Sequence, residues 1–237
     1  LEKGYPGSIE SLNRLREALP NIEFINDANV AAAYFGFVLD LEGLIIVNTL
    51  GTGLGLGIIK DGEILDGLTE AHIRVDFSKE AREHTCGTFG CLEDVANASF
   101  IVRKAKELLP NEQIESAEQV GNWLNNDIEQ EKQAAAKIIF KQFGSNLGIL
   151  YNEIAKIIGD NEINVVLTGG IAQGKGIEYI KSGIQNKAES YGLKVAIIDN
   201  IDQHPSVEGY KQVSLQYQIA VGVALLTLDR VPQENSS

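Results

Sequence analysis

The chain has 237 residues, 44% of them hydrophobic and 22% charged, with a net charge of −13. That length supports one large domain or two small ones with core enough to fold without staples. The acidic balance argues against a broad nucleic-acid surface, which needs clustered Lys and Arg to displace counterions, and serves solubility instead.

An anionic ligand is still admissible, because backbone N–H groups and a metal can hold a nucleotide against the global field. Only two cysteines are present, Cys86 and Cys91, so there is no disulfide framework and a reducing compartment is expected. No apolar run reaches the roughly 18 residues that span a bilayer. The opening LEKGYPGSIE has no apolar h-region. A cytoplasmic protein without a membrane partner is the expectation.

In chain order, NIEFIN (21–26) predicts a short strand running into DANVAAAYFG, an Ala-rich helix start. Asn26 and Asp27 fall where one passes into the other. A carboxylate there can deprotonate a hydroxyl, but Asp is also a good N-cap, and the local sequence favours the cap. LIIVNTL (44–50) predicts a buried strand, followed by GTGLGLG. Gly51, Gly53, Gly55 and Gly57 let the backbone approach a ligand, and Thr52 adds a hydroxyl at the tip. Such a hairpin can present several N–H groups to phosphate oxygens. It is not a Walker loop, since no GK[ST] follows and the next element is a strand; a plain glycine-rich turn stays open. Asp61-Gly62 marks the next hairpin turn.

EDVANASFIVRKAKELL (93–109) predicts one helix that stops at Pro110. Residues 128–158 predict one long helix, with Gly144 and Gly148 either weakening it or admitting a close neighbour. INVVLTGG (163–170) predicts a strand ending in a glycine pair before a helix at 176–190. Ligands gather at the carboxyl ends of strands in open α/β sheets, so Gly169 and Gly170 would leave room for a flat base; a tight turn explains them as well. KVAIID (194–199) predicts a strand and QIAVGVALLTL (218–228) a final apolar helix. Strands alternating with helices, plus one hairpin, define an α/β fold with a mixed sheet.

EHTCGTFGCLEDV (83–95) holds both cysteines and His84, and His72 lies just upstream. His72, His84, Cys86 and Cys91 are four N/S donors, enough for a closed tetrahedral zinc site. Gly87 and Gly90 would supply the tight loop around it. A Cys86–Cys91 disulfide and chance clustering of two thiols are the alternatives.

The order of these motifs resembles the ROK family of sugar kinases and sugar-responsive repressors. NDANVAAA, LGTGLGLG, EAH, CGTFGCLE and VVLTGG stand where that family has NDANxxAxxE, LGTGxGxG, GExGH, CxCGxxGCLE and a strand with GGG. The Cys86–Glu93 match is the most specific. The resemblance implies a two-lobed actin-like ATPase (ribonuclease H-like) fold with an incomplete N-terminal lobe: the rest of that sugar-binding lobe in 1–37, a nucleotide-binding lobe in 38–217 with a zinc knuckle at 72–91, and a terminal helix in 218–237 returning to the first lobe. It implies an ATP- and Mg²⁺-dependent kinase acting on the 6-hydroxyl of a hexose or N-acetylhexosamine. Asp27 becomes the general base, and Asn26, Glu70 and His72 contact the sugar. Gly51, Thr52, Gly53 and Gly55 meet ATP phosphates, Gly169 and Gly170 border the adenosine, and His72, His84, Cys86 and Cys91 hold a structural Zn²⁺. A homodimer is implied. The alternatives within the family are a sugar-sensing repressor, which would bind nucleic acid through a preceding DNA-binding segment, and an inactive sugar-binding relative.

Three departures bear on that reading. His84 stands where the family has the first cysteine of CxCG, a substitution that zinc accepts. Glu70 and His72 are two apart rather than three, and the chain has no methionine where average usage gives roughly five. A methionine lost between them would explain both, and an intact mass of 25.7 kDa would exclude that. The family's first phosphate loop, DxGGT, is also missing, and the chain enters near its GxPG loop at Gly4, Pro6 and Gly7. Further N-terminal residues are expected, because a lobe without its first strands exposes a sheet edge.

Overall fold

A computed structural model describes residues 27–65, 72–125 and 128–199, together with Arg14 and Glu17. The strand expected at 21–26 with Asn26, the residue Glu70, and the helix expected at 218–228 lie outside the described residues.

Helix α1 (Asp27–Val38) is followed by strands β1 (Leu44–Leu50), β2 (Leu54–Lys60) and β3 (Glu63–Ile64). Then come helices α2 (Leu92–Val95), α3 (Ala98–Leu108), α4 (Ala117–Asn122) and α5 (Gln130–Ile158), strand β4 (Glu162–Thr168), helix α6 (Ile177–Glu189) and strand β5 (Lys194–Ile198). The sheet order is β3-β2-β1-β4-β5. The β1–β2 and β2–β3 pairs are antiparallel, whereas β1–β4 and β4–β5 are parallel. This is the mixed sheet that the sequence pattern implies.

Strand periodicity divides the core into two layers. Leu44, Ile46 and Leu50 of β1 join Leu56 and Ile58 of β2 and Val165 and Leu167 of β4 on one face, under Phe100, Ile139, Phe143 and Leu147. Ile45, Val47, Ile59 and Val166 point the other way, against Ala32, Phe35 and Val38 of α1. A strand buried on both faces needs an unbroken apolar run, which is why LIIV shows no alternation. Phe100 and Phe143 meet edge-to-face at 6.3 Å, a geometry worth about 0.5–1.5 kcal/mol beyond burial.

Three glycine contacts set the spacing of the layers. In α5, a Cβ at Gly144 would lie 2.0 Å from the carbonyl oxygen of Ile180 in α6, and one at Gly183 would lie 2.2 Å from that of Lys141. Gly144 therefore admits a close neighbour instead of breaking the helix. On the opposite face, a Cβ at Gly57 of β2 would lie 2.0 Å from the carbonyl oxygen of Ala28, so the start of α1 rests directly on the hairpin strand.

The single helix expected over 93–109 is two. Asn97 interrupts it, and its side chain caps α3 by accepting from Phe100 N at 2.8 Å. The Ala98 N–H donates to Gly51 O at 2.9 Å, so the start of α3 is fastened to the glycine hairpin. Asn competes well at an N-cap because its short side-chain oxygen accepts from an N–H that the first turn leaves orphaned. The periodicity of the apolar residues runs through the break and conceals it.

Candidate active site and metal centre

The β1–β2 hairpin turns through Gly51–Gly53 immediately after Leu50 pairs with Leu54. Gly51 N–H donates to Gly53 O at 3.1 Å, closing the turn. The turn leans on the end of β4: Ile171 N–H donates to Leu50 O at 3.1 Å. A Cβ at Gly169 would come within 2.6 Å of that same oxygen. A cavity of about 500 Å³ opens beside this junction, lined by Gly51, Thr52 and Gly170. Ile101, Phe140 and Ile171 give it an apolar floor, and Glu118, Asn122, Gln173 and Lys175 a polar rim. It has the size and mixed lining of a small-molecule site at the carboxyl ends of parallel strands. Gly53, Gly55 and Gly169 do not line it. Gly169 packs against Leu50, and Gly55 lies under Thr49 and Ala28. A wider groove of about 740 Å³, flanked by Arg82, Arg103 and Lys106, shares Ala98 and Ala117 with this cavity but reaches neither the hairpin nor Gly170.

Asp27 is the first residue of α1 and is solvent-exposed. Its Oδ1 accepts from the Ala28 N–H at 2.9 Å. Because Ala28 sits on Gly57 and near Gly55, Asp27 is held next to the strand that carries the glycine hairpin. Asn26 and Glu70, the other residues expected at the sugar, are outside the described residues.

The knuckle forms from a small irregular sheet, with bridges between Arg74 and Cys91 and between Glu83 and Phe89. Gly87 and Gly90 both have positive φ (82° and 66°), which the tight 84–90 loop requires. Gly90 is needed for space as well, since a Cβ there would lie 1.9 Å from Asp76 O. The loop gathers His72, His84, Cys86 and Cys91 so that one donor atom from each lies within 4.8 Å of all the others. The Cys86 and Cys91 sulfurs are 3.9 Å apart, and Cys91 Sγ is 3.6 Å from His72 Nδ1. A tetrahedron built on Zn–S bonds of about 2.3 Å and Zn–N bonds of about 2.05 Å has S–S and S–N edges of about 3.8 and 3.6 Å. The donor set thus fits a tetrahedral zinc, and both thiols are free of a disulfide.

The two thiols differ in acidity. Burial pushes Cys86 up, but hydrogen bonds from Thr88, His84 and Cys91 outweigh it and bring the thiol down to about 7. Burial pushes Cys91 up to about 12, and the Cys86 sulfur beside it adds to the rise. A divalent cation bound here would take both sulfurs as thiolates and release their protons.

Glu93 joins this site, although the sequence reading treats it only as the last residue of a motif. Its Oε2 is 3.4 Å from His72 Nδ1 and 3.7 Å from His84 Nε2. A Cβ at Gly53 would lie 3.5 Å from its Oε1. The carboxylate therefore spans the distance between the metal donors and the hairpin tip. Its place two residues after Cys91, in the first turn of α2, is the signal that could have found it.

The described chain is thus a mixed sheet covered by helices on both faces, with a glycine hairpin, a cavity at the strand ends and a His/Cys cluster on one side. The family model of the ROK family matches residues 14–207, and the chain belongs to that family. A glucokinase from Halalkalibacterium halodurans is 39% identical over 90 residues, which are 35% of this chain and 27% of that protein. Among solved structures, a ROK hexokinase from Thermus thermophilus superposes with a TM-score of 0.64 at 20% identity, covering 92% of this chain and 70% of the other. A ROK glucokinase from Streptomyces griseus, solved with glucose and AMPPNP, gives 0.58 at 21%, covering 78% and 66%. A ROK transcriptional regulator homologous to the E. coli MLC protein gives 0.55 at 18%, covering 91% and 56%. These likenesses establish the actin-like ATPase fold. The match to the curated glucokinase spans about a quarter of that protein's length. No helix among the described residues is long and apolar enough to cross a membrane.

Proposed function

We propose that the chain is the greater part of an ATP-dependent sugar kinase that phosphorylates the 6-hydroxyl of a hexose or N-acetylhexosamine. The observation that carries this reading is the seating of α1 on the hairpin strand, with Ala28 against Gly57. It holds Asp27 next to the strand that leaves the glycine turn, and that turn lines a cavity of nucleotide size.

In this reading the cavity takes the adenosine, between Gly170 and the apolar floor, and the Gly51–Gly55 hairpin with the Thr52 hydroxyl faces the phosphates. Asp27 accepts the proton of the sugar hydroxyl as its oxygen attacks the terminal phosphorus, and ADP departs with the electrons of the broken P–O bond. An ordinary carboxylate is ionised at neutral pH and can do this without special burial. Mg²⁺ would neutralise charge that develops on the phosphate oxygens. Asn26, Glu70 and His72 hydrogen-bond the sugar ring.

His72, His84, Cys86 and Cys91 hold a structural zinc. His72 Nδ1 faces the Cys91 sulfur, so Nε2 lies on the far side of the ring, where it can donate to a sugar hydroxyl. The metal does no chemistry here; it fixes the ring that recognises the substrate. A cytoplasmic homodimer completes the proposal.

The test is ADP release in a coupled assay with Mg-ATP and a panel of hexoses and N-acetylhexosamines, using the full-length protein. Turnover on at least one sugar is expected. Sugar binding without turnover would defeat the kinase reading and favour a sugar-sensing relative, the role suggested by the regulator of the same fold.

A further inference from the structure

The glycine hairpin is held from three directions. Ile171, after β4, donates to Leu50 O at 3.1 Å, and Ala98, at the start of α3, donates to Gly51 O at 2.9 Å. Both are backbone contacts that almost any sequence could make. The third is made by side chains. Asn48, on β1, donates through Nδ2 to Gly55 O at 3.2 Å. The oxygen of that same amide accepts from the Tyr151 hydroxyl of α5 at 2.6 Å.

Both side chains are completely buried. A polar amide inside a strand, on the face covered by Phe143 and Leu147, is costly unless every group is bonded. Phenylalanine would fill the place of Tyr151 with no polar atom to satisfy. Burial holds the phenol proton on, far above the ordinary tyrosine range, so the hydroxyl keeps a proton to donate, while the Gly55 carbonyl on the other side of the amide can only accept. An amide oxygen fixed by such a donor cannot exchange places with its nitrogen, and Nδ2 is thereby aimed at Gly55 O. The same helix sends a second buried amide to a neighbouring anchor: Asn146 Nδ2 donates to Val95 O at 2.8 Å, just ahead of the Asn97 cap.

We infer that Tyr151 and Asn48 are positioning residues for the phosphate-facing hairpin. They fix the Gly55 carbonyl and, through it, the direction in which the N–H groups of the turn point. Neither touches the cavity, so they act only through the hairpin. This rests on the proposal that the hairpin receives nucleotide phosphates. A pair that merely satisfies itself in the core would contribute to stability and nothing else.

The two roles separate in Tyr151→Phe and in the double variant Tyr151→Phe/Asn48→Leu, with the full-length protein. The single variant leaves an amide oxygen unpaired and loses stability; the double removes both polar side chains and recovers part of it, leaving only the Gly55 carbonyl without its side-chain donor. Amide hydrogen exchange over residues 51–57 and calorimetric titration with Mg-AMPPNP are read in parallel, with thermal unfolding. Both variants are expected to exchange the hairpin amides faster and to bind Mg-AMPPNP about 5–10-fold more weakly, with the affinity for sugar unchanged. Hairpin exchange equal to wild type in both, or nucleotide affinity within about twofold of wild type, overturns the inference. So does a loss of affinity in the single variant that the double restores along with stability. Wild-type protein that binds no Mg-AMPPNP defeats the kinase reading instead, and hairpin exchange then decides the positioning role by itself.

Discussion

Gly57→Ala tests the link between the fold and the proposed base. The substitution adds one methyl group to the middle of β2, where a Cβ would lie 2.0 Å from Ala28 O, 2.6 Å from Ala28 C and 2.9 Å from Ala32 Cβ. Two of these are backbone atoms, which cannot rotate aside as a flexible side chain would. Carbon and oxygen rarely approach within about 3 Å without bonding, so the start of α1 must retreat by about 1 Å. Asp27 is the residue before the one that is struck, and it moves with the helix. A misplacement of that size costs about 10²-fold in rate when a catalytic group is involved. Overpacking of this kind also costs about 1–3 kcal/mol, or roughly 2–12 °C in the unfolding midpoint for a chain of this length. The measurements are kcat by coupled ADP release and the unfolding midpoint by circular dichroism. Gly51→Ala serves as the stability control, since a Cβ there meets nothing within 4 Å. If Gly57→Ala keeps wild-type kcat while its midpoint falls, α1 moves without disturbing catalysis, and Asp27 is not the base. If both are unchanged, the helix does not rest on β2 as described.

Asp27→Asn is expected to lower kcat by about 10²–10⁴-fold with sugar affinity largely retained, measured by the coupled assay and by titration with the preferred sugar. Near-normal kcat would refute the role of base. Elemental analysis is expected to find about one zinc per chain; its removal by a chelator should lower the unfolding midpoint and weaken sugar binding while leaving Mg-AMPPNP binding intact. The Lys60–Asp160 pair, at 2.6 Å, joins the end of β2 to the turn after α5. The Lys60 ammonium bonded to Asp160 holds that carboxyl below its ordinary value, and the same bond holds Lys60 above its own. A depressed carboxyl stabilises the fold above its unfolded pKa and loses that contribution as pH falls through the folded value; a raised lysine loses its share only as pH rises past about 10.4. Asp160→Asn should therefore lower the unfolding midpoint across the neutral range and converge on wild type in strong acid. A difference that persists unchanged at low pH would show that the pair contributes nothing through charge.

Strand-scale features were legible because a single local rule governs each. LIIVNTL is buried on both faces and matches β1 from Leu44 to Leu50, and the Asp61-Gly62 turn lies between β2 and β3. The clustering of His72, His84, Cys86 and Cys91 was legible because His and Cys are scarce in the chain and crowd into twenty residues. What local pattern could not show is how segments far apart meet. The break at Asn97 is invisible in the apolar periodicity and is explained by a bond from Ala98 to Gly51 across the fold. Tyr151 and Asn48 are 103 residues apart, and each reads as an ordinary element interior until the helix is laid on the strand. The approach of Glu93 to both histidines and to Gly53 likewise depends on how α2 lies against the hairpin.

His84 is the departure from the family pattern that this geometry explains best. With two thiolates and two imidazoles, a bound zinc site would be neutral; a third thiolate at position 84 would make it an anion. Glu93 Oε2 lies 3.7 Å from His84 Nε2. An added charge at about 4 Å from a partly exposed carboxylate costs on the order of 4 kcal/mol at the effective dielectric of a protein surface, less where solvent screens it. Imidazole at this position spares Glu93 a repulsion that the same glutamate meets where the family's CxCGxxGCLE pattern has a third cysteine. His84→Cys should therefore still bind about one zinc per chain, because the donor remains adequate, but it should weaken sugar binding as Glu93 is pushed from His72. His84→Ala should lose the metal. A cysteine variant with zinc and wild-type sugar affinity would show that the charge of the site is immaterial to its function.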